Sequence, residues 1–357
     1  MKNLNRLKIY FIPVMLGLTT FLACDTSKAI TSQEYESSTT QTYPSTTDPL
    51  PSWNAGKTKN DIITFVKTVT AKGSKQYVKE EDRIAAFDND GTLWAEQPNY
   101  FQGAFIKYSL KNGPNHPLLR ELNFFKKMAK GGSIQDGLEI FTTMYAGMNT
   151  QDFEDLILEW LANDRHPDLN VPYTDLVYQP MLELLNYLRA NGFKTFICSG
   201  GGTQFMRPWT YDAYGIPKNQ IIGTTVKEEF KHKAGKTQII RTGELEHNND
   251  KEGKPIGLQK HIGKKPIFSC GNSDGDLQMM QWTDSNILPN FELYLHHTDG
   301  VREWNYSKED NDVGKLKKGL AIAKIKGWTV IDMRTDWNKI FPEVVKSPKK
   351  QGRSIKK

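Results

Sequence analysis

Three short apolar runs each end in a cluster of small, oxygen-bearing residues, and this pattern restricts the fold more than any other feature of the chain. Residues 83–87 run into Asp88-Asn89-Asp90-Gly91-Thr92. Residues 193–198 run into Ser199-Gly200-Gly201-Gly202-Thr203, and residues 266–270 into Gly271-Asn272-Ser273-Asp274-Gly275-Asp276. Largely apolar runs of this length read as buried strands, and their alternation with helical segments implies a parallel sheet covered on both faces. Further strands are expected at 220–226, 291–295 and 328–332, with a hairpin over 227–246. Helical spacing appears at Ile62, Ile63, Phe65, Val66 and Val69, and again over 174–190, 203–214 and 255–262. The expectation is an α/β fold, a Rossmann-like three-layer parallel sheet. Between the first and second strands, 98–170 shows only helical patterning, with segments near 117–130, 135–146 and 150–163, and reads as a mainly helical cap inserted after the first strand.

The ends of those strands carry the chemistry. Two carboxylates two residues apart, Asp88 and Asp90, project toward one side of a sheet at the end where α/β folds bind ligands. Gly91 lets the backbone turn there and approach an anion closely. Taken alone, Asp-Asn-Asp-Gly is as well explained by an Asx-rich turn. Ser199, followed by a glycine-rich turn and a helix, suits a phosphate oxygen. Asn272, Asp274 and Asp276 cluster oxygen ligands before a helix, as a hard divalent cation requires. Lys254, next to Pro255 at a helix start, would bring a positive charge to the same place.

The order of these pieces resembles the haloacid dehalogenase superfamily: an Asp-x-Asp-Gly-Thr box, a Ser or Thr after the second strand, a Lys, and a late acidic box. Asp88, Asp90, Gly91 and Thr92 match the first, Ser199 the second, Lys254 the third, and Asn272 with Asp276 the fourth. The likeness covers about 56–340, and the helical cap with Gly-Gly after Ser199 is most similar to the phosphoserine-phosphatase-like branch. It implies a Mg²⁺-dependent phosphomonoester hydrolase acting on a small phosphorylated metabolite through an aspartyl-phosphate. In that reading Asp88 is the nucleophile and Asp90 the acid and base. Ser199 and Lys254 hold phosphate oxygens, and Gly91, Thr92 and Gly200 contact substrate; outside the resemblance, Arg207 on the helix after Ser199 can reach a substrate carboxylate or phosphate or serve as an ordinary surface or packing residue. Asp88, Asp90, Asn272 and Asp276 serve the metal. Asn272 departs from the pattern, since most members carry Asp there. The site would lose one negative charge and lean on Asp276 or Asp274, and Asn272→Asp is expected to tighten Mg²⁺ binding.

Charge distribution argues against nucleic acid as a partner. The formal charge is +6, from 47 basic and 41 acidic residues. Lys2, Arg6 and Lys8 fall in 1–23 and six more bases fall in 346–357, with no acid in either stretch, so the remaining body carries −3. The first 23 residues read as an export signal, basic and then apolar, too short and interrupted to span a bilayer. Phe21-Leu22-Ala23-Cys24 resembles a bacterial lipoprotein signal, with Phe21 where Leu is usual; the resemblance implies lipidation of Cys24, a membrane anchor and a place in the cell envelope, periplasmic or surface-exposed, with plain secretion from another cleavage point or an uncleaved anchor as the alternatives. Residues 24–55, rich in Ser and Thr, are expected to form a disordered tether, and 346–357 a disordered basic tail. The core would then comprise 56–97 and 171–345, and the cap 98–170. Cys198 and Cys270 are expected to be reduced core thiols.

Several candidates carry a second explanation. Lys260, Lys264 and Lys265 compete with Lys254, but a solvated face explains them. Adjacent His296 and His297 point to opposite faces of a strand, which disfavours a second metal site with Asp299. Trp94, Tyr100, Phe101, Phe105 and Tyr108 can pack cap on core or cage a quaternary ammonium such as phosphocholine. Glu96 can face the charge of a substrate. Selective hydrolysis of phosphoserine, phosphocholine or pyrophosphate, and a catalytically silent envelope binding protein, are the alternative readings.

Overall fold

The computed structural model of the chain describes residues 48–112, 142–306 and 313–342. In chain order come α1 (Lys57–Thr70), β1 (Ile84–Phe87), α2 (Phe101–Asn112), α3 (Thr150–Asn163), α4 (Gln179–Ala190), β2 (Lys194–Gly202), β3 (Ile221–Lys233), β4 (Lys236–His247), α5 (Gly253–Ile262), β5 (Phe268–Gly271), α6 (Leu277–Asp284), β6 (Phe291–His296), α7 (Lys318–Lys326) and β7 (Thr329–Asp332). The strands form one seven-stranded sheet in the order β4-β3-β2-β1-β5-β6-β7. Every neighbouring pair is parallel except β3 with β4.

Alternation along β1 sets the layers. All four of its residues are buried, and successive side chains must point to opposite faces. Ala85 and Phe87 join an apolar cluster with Ile62, Val66 and Val69 of α1 and Leu184 and Leu188 of α4. Ile84 and Ala86 join the other, with Leu258 of α5, Met279 and Met280 of α6 and Ala323 of α7. The α/β three-layer expectation holds. The chain adds β2, β3 and β4 on one side of β1 and then returns to place β5 on the other. That reversal between β1 and β5 makes the crevice where ligands bind in open α/β sheets.

Some boundaries move for local reasons. The helix expected over 203–214 is two short ones, Thr203–Met206 and Thr210–Tyr214, because Pro208 between them offers no backbone N–H. The helix expected from 174 begins at Gln179, with Pro180 in its first turn. The strand at 220–226 and the hairpin at 227–246 are one long β3–β4 ribbon, turning at Ala234 and Gly235, both with positive φ. Such a two-residue turn matches the twist of paired strands. The helices expected over 117–130 and most of 135–146 lie outside the described residues, as do 1–47, with Cys24, and the tail 346–357.

The tether expected over 24–55 gives way to packed chain by residue 48. Leu50 and Trp53 are buried. Trp53 Nε1 donates to Pro180 O at 3.0 Å, and Ser52 donates from its backbone and hydroxyl to Glu183 at 2.8 and 2.6 Å. The large aromatic at 53 finds a surface on α4 that the polar composition around it did not suggest. In the 98–170 stretch, α2 and α3 bring Phe105, Tyr145, Phe153 and Trp160 together with Phe205 of the core. These aromatics share the apolar cluster that includes α1 and α4. Cys198 and Cys270 are buried free thiols on β2 and β5.

One buried acid in the sheet has a measurable consequence. Glu292 on β6 is 5% exposed, and its Oε1 has no hydrogen-bond partner among the described residues. Burial, with Asp284 adding to it, pushes the carboxyl up to about 8. The folded state therefore holds a proton that the unfolded chain gives up near its ordinary carboxyl range, so this residue's contribution to stability is lost as pH rises toward 8. Glu292→Gln should raise Tm relative to wild type at pH 9, and the difference should shrink at pH 5. Thermal melts across that range check it.

Candidate active site

Asp88 follows β1 directly, and its backbone N–H donates to Cys270 O at 2.9 Å, locking the ends of β1 and β5 together. Its carboxylate meets Lys254, on the first turn of α5, with Nζ 2.8 Å from Oδ1. The same ammonium lies 2.5 Å from Asp276 Oδ1. All three groups are buried. Burial alone would pull the lysine down, but Asp276 and Asp88 hold it well above its usual range. Burial and then Asp276 push Asp88 up to about 7, against the opposing pull of Lys254.

Asp90 turns one carboxylate oxygen, Oδ1, to Trp94 Nε1 at 2.8 Å. Its other oxygen faces Gly201 at the end of β2. A Cβ at Gly201 would lie 3.5 Å from Asp90 Oδ2, 3.4 Å from Ser199 Oγ and 3.3 Å from Gln102 Oε1. The acid after β1 and the hydroxyl after β2 thus border one small space. Burial raises Asp90 to about 6, with the Trp94 hydrogen bond and Lys254 pulling against it. Ser199 is held from behind by Asn249, whose Nδ2 donates to Ser199 O at 2.9 Å.

The loop after β5 is organised by Asp276. Its Oδ2 accepts from the backbone of Asn272 and Ser273, both at 3.0 Å, and from Ser273 Oγ at 3.2 Å. These bonds and Lys254 occupy both oxygens, so Asp276, expected at the metal, shapes the loop and the lysine. Asp274, the other candidate there, accepts from Lys317 N and Gly319 N at 3.0 and 2.8 Å and anchors the start of α7. Asn272 is buried, with Oδ1 accepting from Thr92 Oγ1 at 3.1 Å and Nδ2 donating to Glu96 Oε1 at 2.7 Å. Burial, then Asp90 and Asp88, raise Glu96 well above the usual carboxyl range.

Other expected contacts are placed differently. Gly91 N donates to Trp94 O at 2.8 Å and Thr92 N to Asn89 O at 3.1 Å, so these amides are spent inside the loop and do not face a substrate. Gly91 has φ +70°, and a Cβ there would run into Asn272 and Glu96, which makes glycine a requirement of the turn. Gly200 sits exposed at the rim, its carbonyl accepting from Thr224 Oγ1 at 2.7 Å. Arg207 donates from Nε to Lys218 O at 3.1 Å, beside the amino end of β3 and away from the carboxyl ends that carry the site. Lys264 pairs with Asp82 at 2.7 Å, Lys265 lies over the Trp282 ring and Lys260 is exposed, which leaves Lys254 as the buried ammonium. Trp94, Phe101 and Phe105 are fully packed, Trp94 stacking on Trp209 at 4.2 Å, so they join cap to core. Tyr100 instead stands among the acids: desolvation, then Glu96, Asp90 and Asp88, raise its phenol.

Several site residues had no local signal. His297 donates from Nε2 to Gly91 O at 2.7 Å, with Nδ1 3.0 Å from Glu303 Oε2. Glu303 also accepts from Tyr178 OH at 2.9 Å. Gln102, in the first turn of α2, accepts from Gly202 N at 2.8 Å and ties the inserted helices to the glycine turn. These partners come from distant parts of the chain; His297 drew attention only as a metal candidate beside His296, and nothing near Glu303, Tyr178 or Gln102 marks them.

The chemistry of the donors suits a hard cation. Buried Asp88, Glu96 and Asp276 and half-buried Asp90 share this region with Lys254, the one buried ammonium among the described residues. Negative charge is therefore in excess, and carboxylates so placed repel one another unless a cation joins them. Among the described residues no three His, Cys, Asp or Glu side chains form a metal cluster by themselves. A cation here would draw on a mixed oxygen set: the Asp88 carboxylate, the Asp90 carbonyl and Asn272 Oδ1.

Residues 85–281 match the family described as haloacid dehalogenase-like hydrolase. No curated protein matches the chain. Similar solved structures include a functionally unknown protein from Anaerococcus prevotii, at 15% identity over 71% of this chain and 89% of that one, with TM-score 0.49. A protein of unknown function from Bordetella pertussis is 16% identical over 70% of this chain and 98% of that one, with TM-score 0.44. A phosphoserine phosphohydrolase-like protein from Francisella tularensis is 17% identical over 71% and 95%, with TM-score 0.38.

The Trp94 hydrogen bond generates a test that needs no substrate. It favours the charged form of Asp90, so Trp94→Phe should move the Asp90 titration above about 6. Carboxyl ¹³C NMR of the protein in EDTA measures the shift directly.

Proposed function

Because the chain belongs to the haloacid dehalogenase-like hydrolase family, we propose that it is a phosphomonoester hydrolase acting on a small phosphorylated molecule. The observation that carries this is the convergence of two paired acids, a hydroxyl and an ammonium at the β1/β5 crevice. Lys254 Nζ lies 2.8 Å from Asp88, while Asp90 Oδ2 and Ser199 Oγ border Gly201 together.

The groups divide the reaction into two displacements. An oxygen of Asp88 forms a bond to phosphorus as the bond to the ester oxygen breaks, and Asp90 gives its proton to the departing oxygen. Water then attacks phosphorus, Asp90 takes a proton from it, and the bond to Asp88 breaks to release inorganic phosphate. The raised position of Asp90, about 6, suits a group that must give and take a proton near neutral pH. Lys254 and Ser199 hold the remaining phosphoryl oxygens, where positioning and electrostatics dominate this chemistry. Bound among the Asp88 carboxylate, the Asp90 carbonyl and Asn272 Oδ1, Mg²⁺ would screen the nucleophile from the phosphate charge.

The inserted helices favour a small substrate. Gln102 of α2 is fastened to Gly202, and Tyr100 stands among the acids, so this segment borders the reacting atoms and would restrict approach by a folded phosphoprotein. The export reading belongs to the same proposal: lipidation at Cys24 would tether the enzyme to the cell envelope.

Purified protein should hydrolyse p-nitrophenyl phosphate with Mg²⁺, and EDTA should abolish turnover. Asp88→Asn should remove it, and Asp90→Asn should lower kcat by ~10²–10⁴-fold. Equal, background turnover in wild type and Asp88→Asn overturns the hydrolase reading in favour of a silent binding protein. Comparing kcat/KM for phosphoserine, phosphocholine, pyrophosphate and p-nitrophenyl phosphate decides between a selective and a broad enzyme. For the anchor, Cys24→Ser should move the protein from the membrane to the soluble fraction; continued membrane association overturns lipidation there.

A further inference from the structure

Asn272 is a neutral amide among acids, and the structure places a buried carboxylate directly behind it. Glu96 is 2% exposed, and its Oε1 accepts from Asn272 Nδ2 at 2.7 Å. Among the described residues no lysine, arginine or histidine forms an ion pair with Glu96. Backbone closes tightly around it, since a Cβ at Gly91 or at Gly314 would run into Glu96 Oε1. A buried, unpaired carboxylate is costly unless a positive charge elsewhere offsets it.

Hydrogen bonds orient the amide. With Nδ2 committed to Glu96, Oδ1 turns the other way, to the side where Thr92 Oγ1 donates to it at 3.1 Å. A carbonyl oxygen has two lone pairs, so one remains for a cation. With a cation at the site to offset it, the Glu96 charge polarises the amide through its N–H and enriches that oxygen in negative charge. Partners of this kind orient and tune the group that touches the metal.

We propose that Glu96 and Asn272 act together as a divided carboxylate, Asn272 presenting the oxygen to the divalent cation and Glu96 supplying the negative charge through the hydrogen bond. Glu96 is thus a positioning residue for the metal site, which rests on the proposed hydrolase reading. The expectation that Asn272→Asp alone tightens metal binding is revised. That change would set two carboxylates against each other at hydrogen-bond distance in a closed pocket.

The test is Mn²⁺ binding followed by electron paramagnetic resonance, without phosphoester, on wild type, Glu96→Gln, Asn272→Asp and the double variant. Gln at 96 keeps an oxygen that accepts from Asn272 and removes only the charge, so Glu96→Gln should weaken Mn²⁺ binding by about 10–100-fold. Moving the charge in Glu96→Gln/Asn272→Asp should restore the wild-type affinity, which a purely structural role for Glu96 would not do. Asn272→Asp alone should lower the metal-free Tm below those of wild type and the double variant. Wild-type affinity in Glu96→Gln, or no recovery in the double variant, overturns the proposal while leaving the hydrolase reading intact. If Glu96→Gln does not fold, the double variant decides: wild-type affinity supports the proposal and weaker binding overturns it. Failure of wild type to bind Mn²⁺ overturns the cation site itself, and this proposal with it.

Discussion

A lysine ammonium buried between two carboxylates holds the catalytic end of this protein together. Lys254 reaches Asp88 after β1 and Asp276 after β5 from the first turn of α5, so three segments far apart in sequence meet at one charge. An ammonium taken out of water is costly, and the two acids offset that cost only because they sit at contact distance. The pairing also frees Asp276 Oδ2 to gather the Asn272 and Ser273 amides. The loop that carries Asn272 is therefore built on the same interaction that holds the Asp88 carboxylate in place.

Around that ion pair the charge does not balance, and the imbalance has a direction. Burial raises Asp88, Asp90 and Glu96; Asp276 and Asp90 add to it at Asp88, and Asp90 and Asp88 add to it at Glu96. A cation and a phosphoryl group entering together would bring positive charge next to the acids and anionic oxygens next to Lys254. Trp94 and His297 contribute by holding the loop rather than by contacting the reaction, one through Asp90 and the other through Gly91 O. The mild net acidity of the chain body and the buried acids at the crevice are consistent features, though only the latter bear on chemistry.

Much of the fold was legible because its signals are local. The runs at 83–87 and 266–270 read as buried strands, and the structure places β1 and β5 there with every residue buried. Pro208 and the Ala234-Gly235 turn moved boundaries without changing the order of elements. The docking of Trp53 on α4 was not legible, because Pro180, which accepts from its indole, lies well over a hundred residues away. Arg207 shows the same limit: its position after the glycine turn suggested an anion, but the backbone of the short helix carries it to Lys218 O.

The sequence by itself determined which strand ends carry acids, a hydroxyl and an ammonium, because residue type and local periodicity are properties of neighbouring positions. It also singled out Lys254 among four nearby lysines and exposed Asn272 as a departure from the expected acid. Only the tertiary structure decided what stands behind those groups. Asp276 and Asp274 turned out to hold loops, Gly91 and Thr92 to spend their amides internally, and Glu96 to press against Asn272. Such roles depend on hydrogen bonds between segments brought together by burial, and a one-dimensional pattern carries no record of which distant partner will arrive.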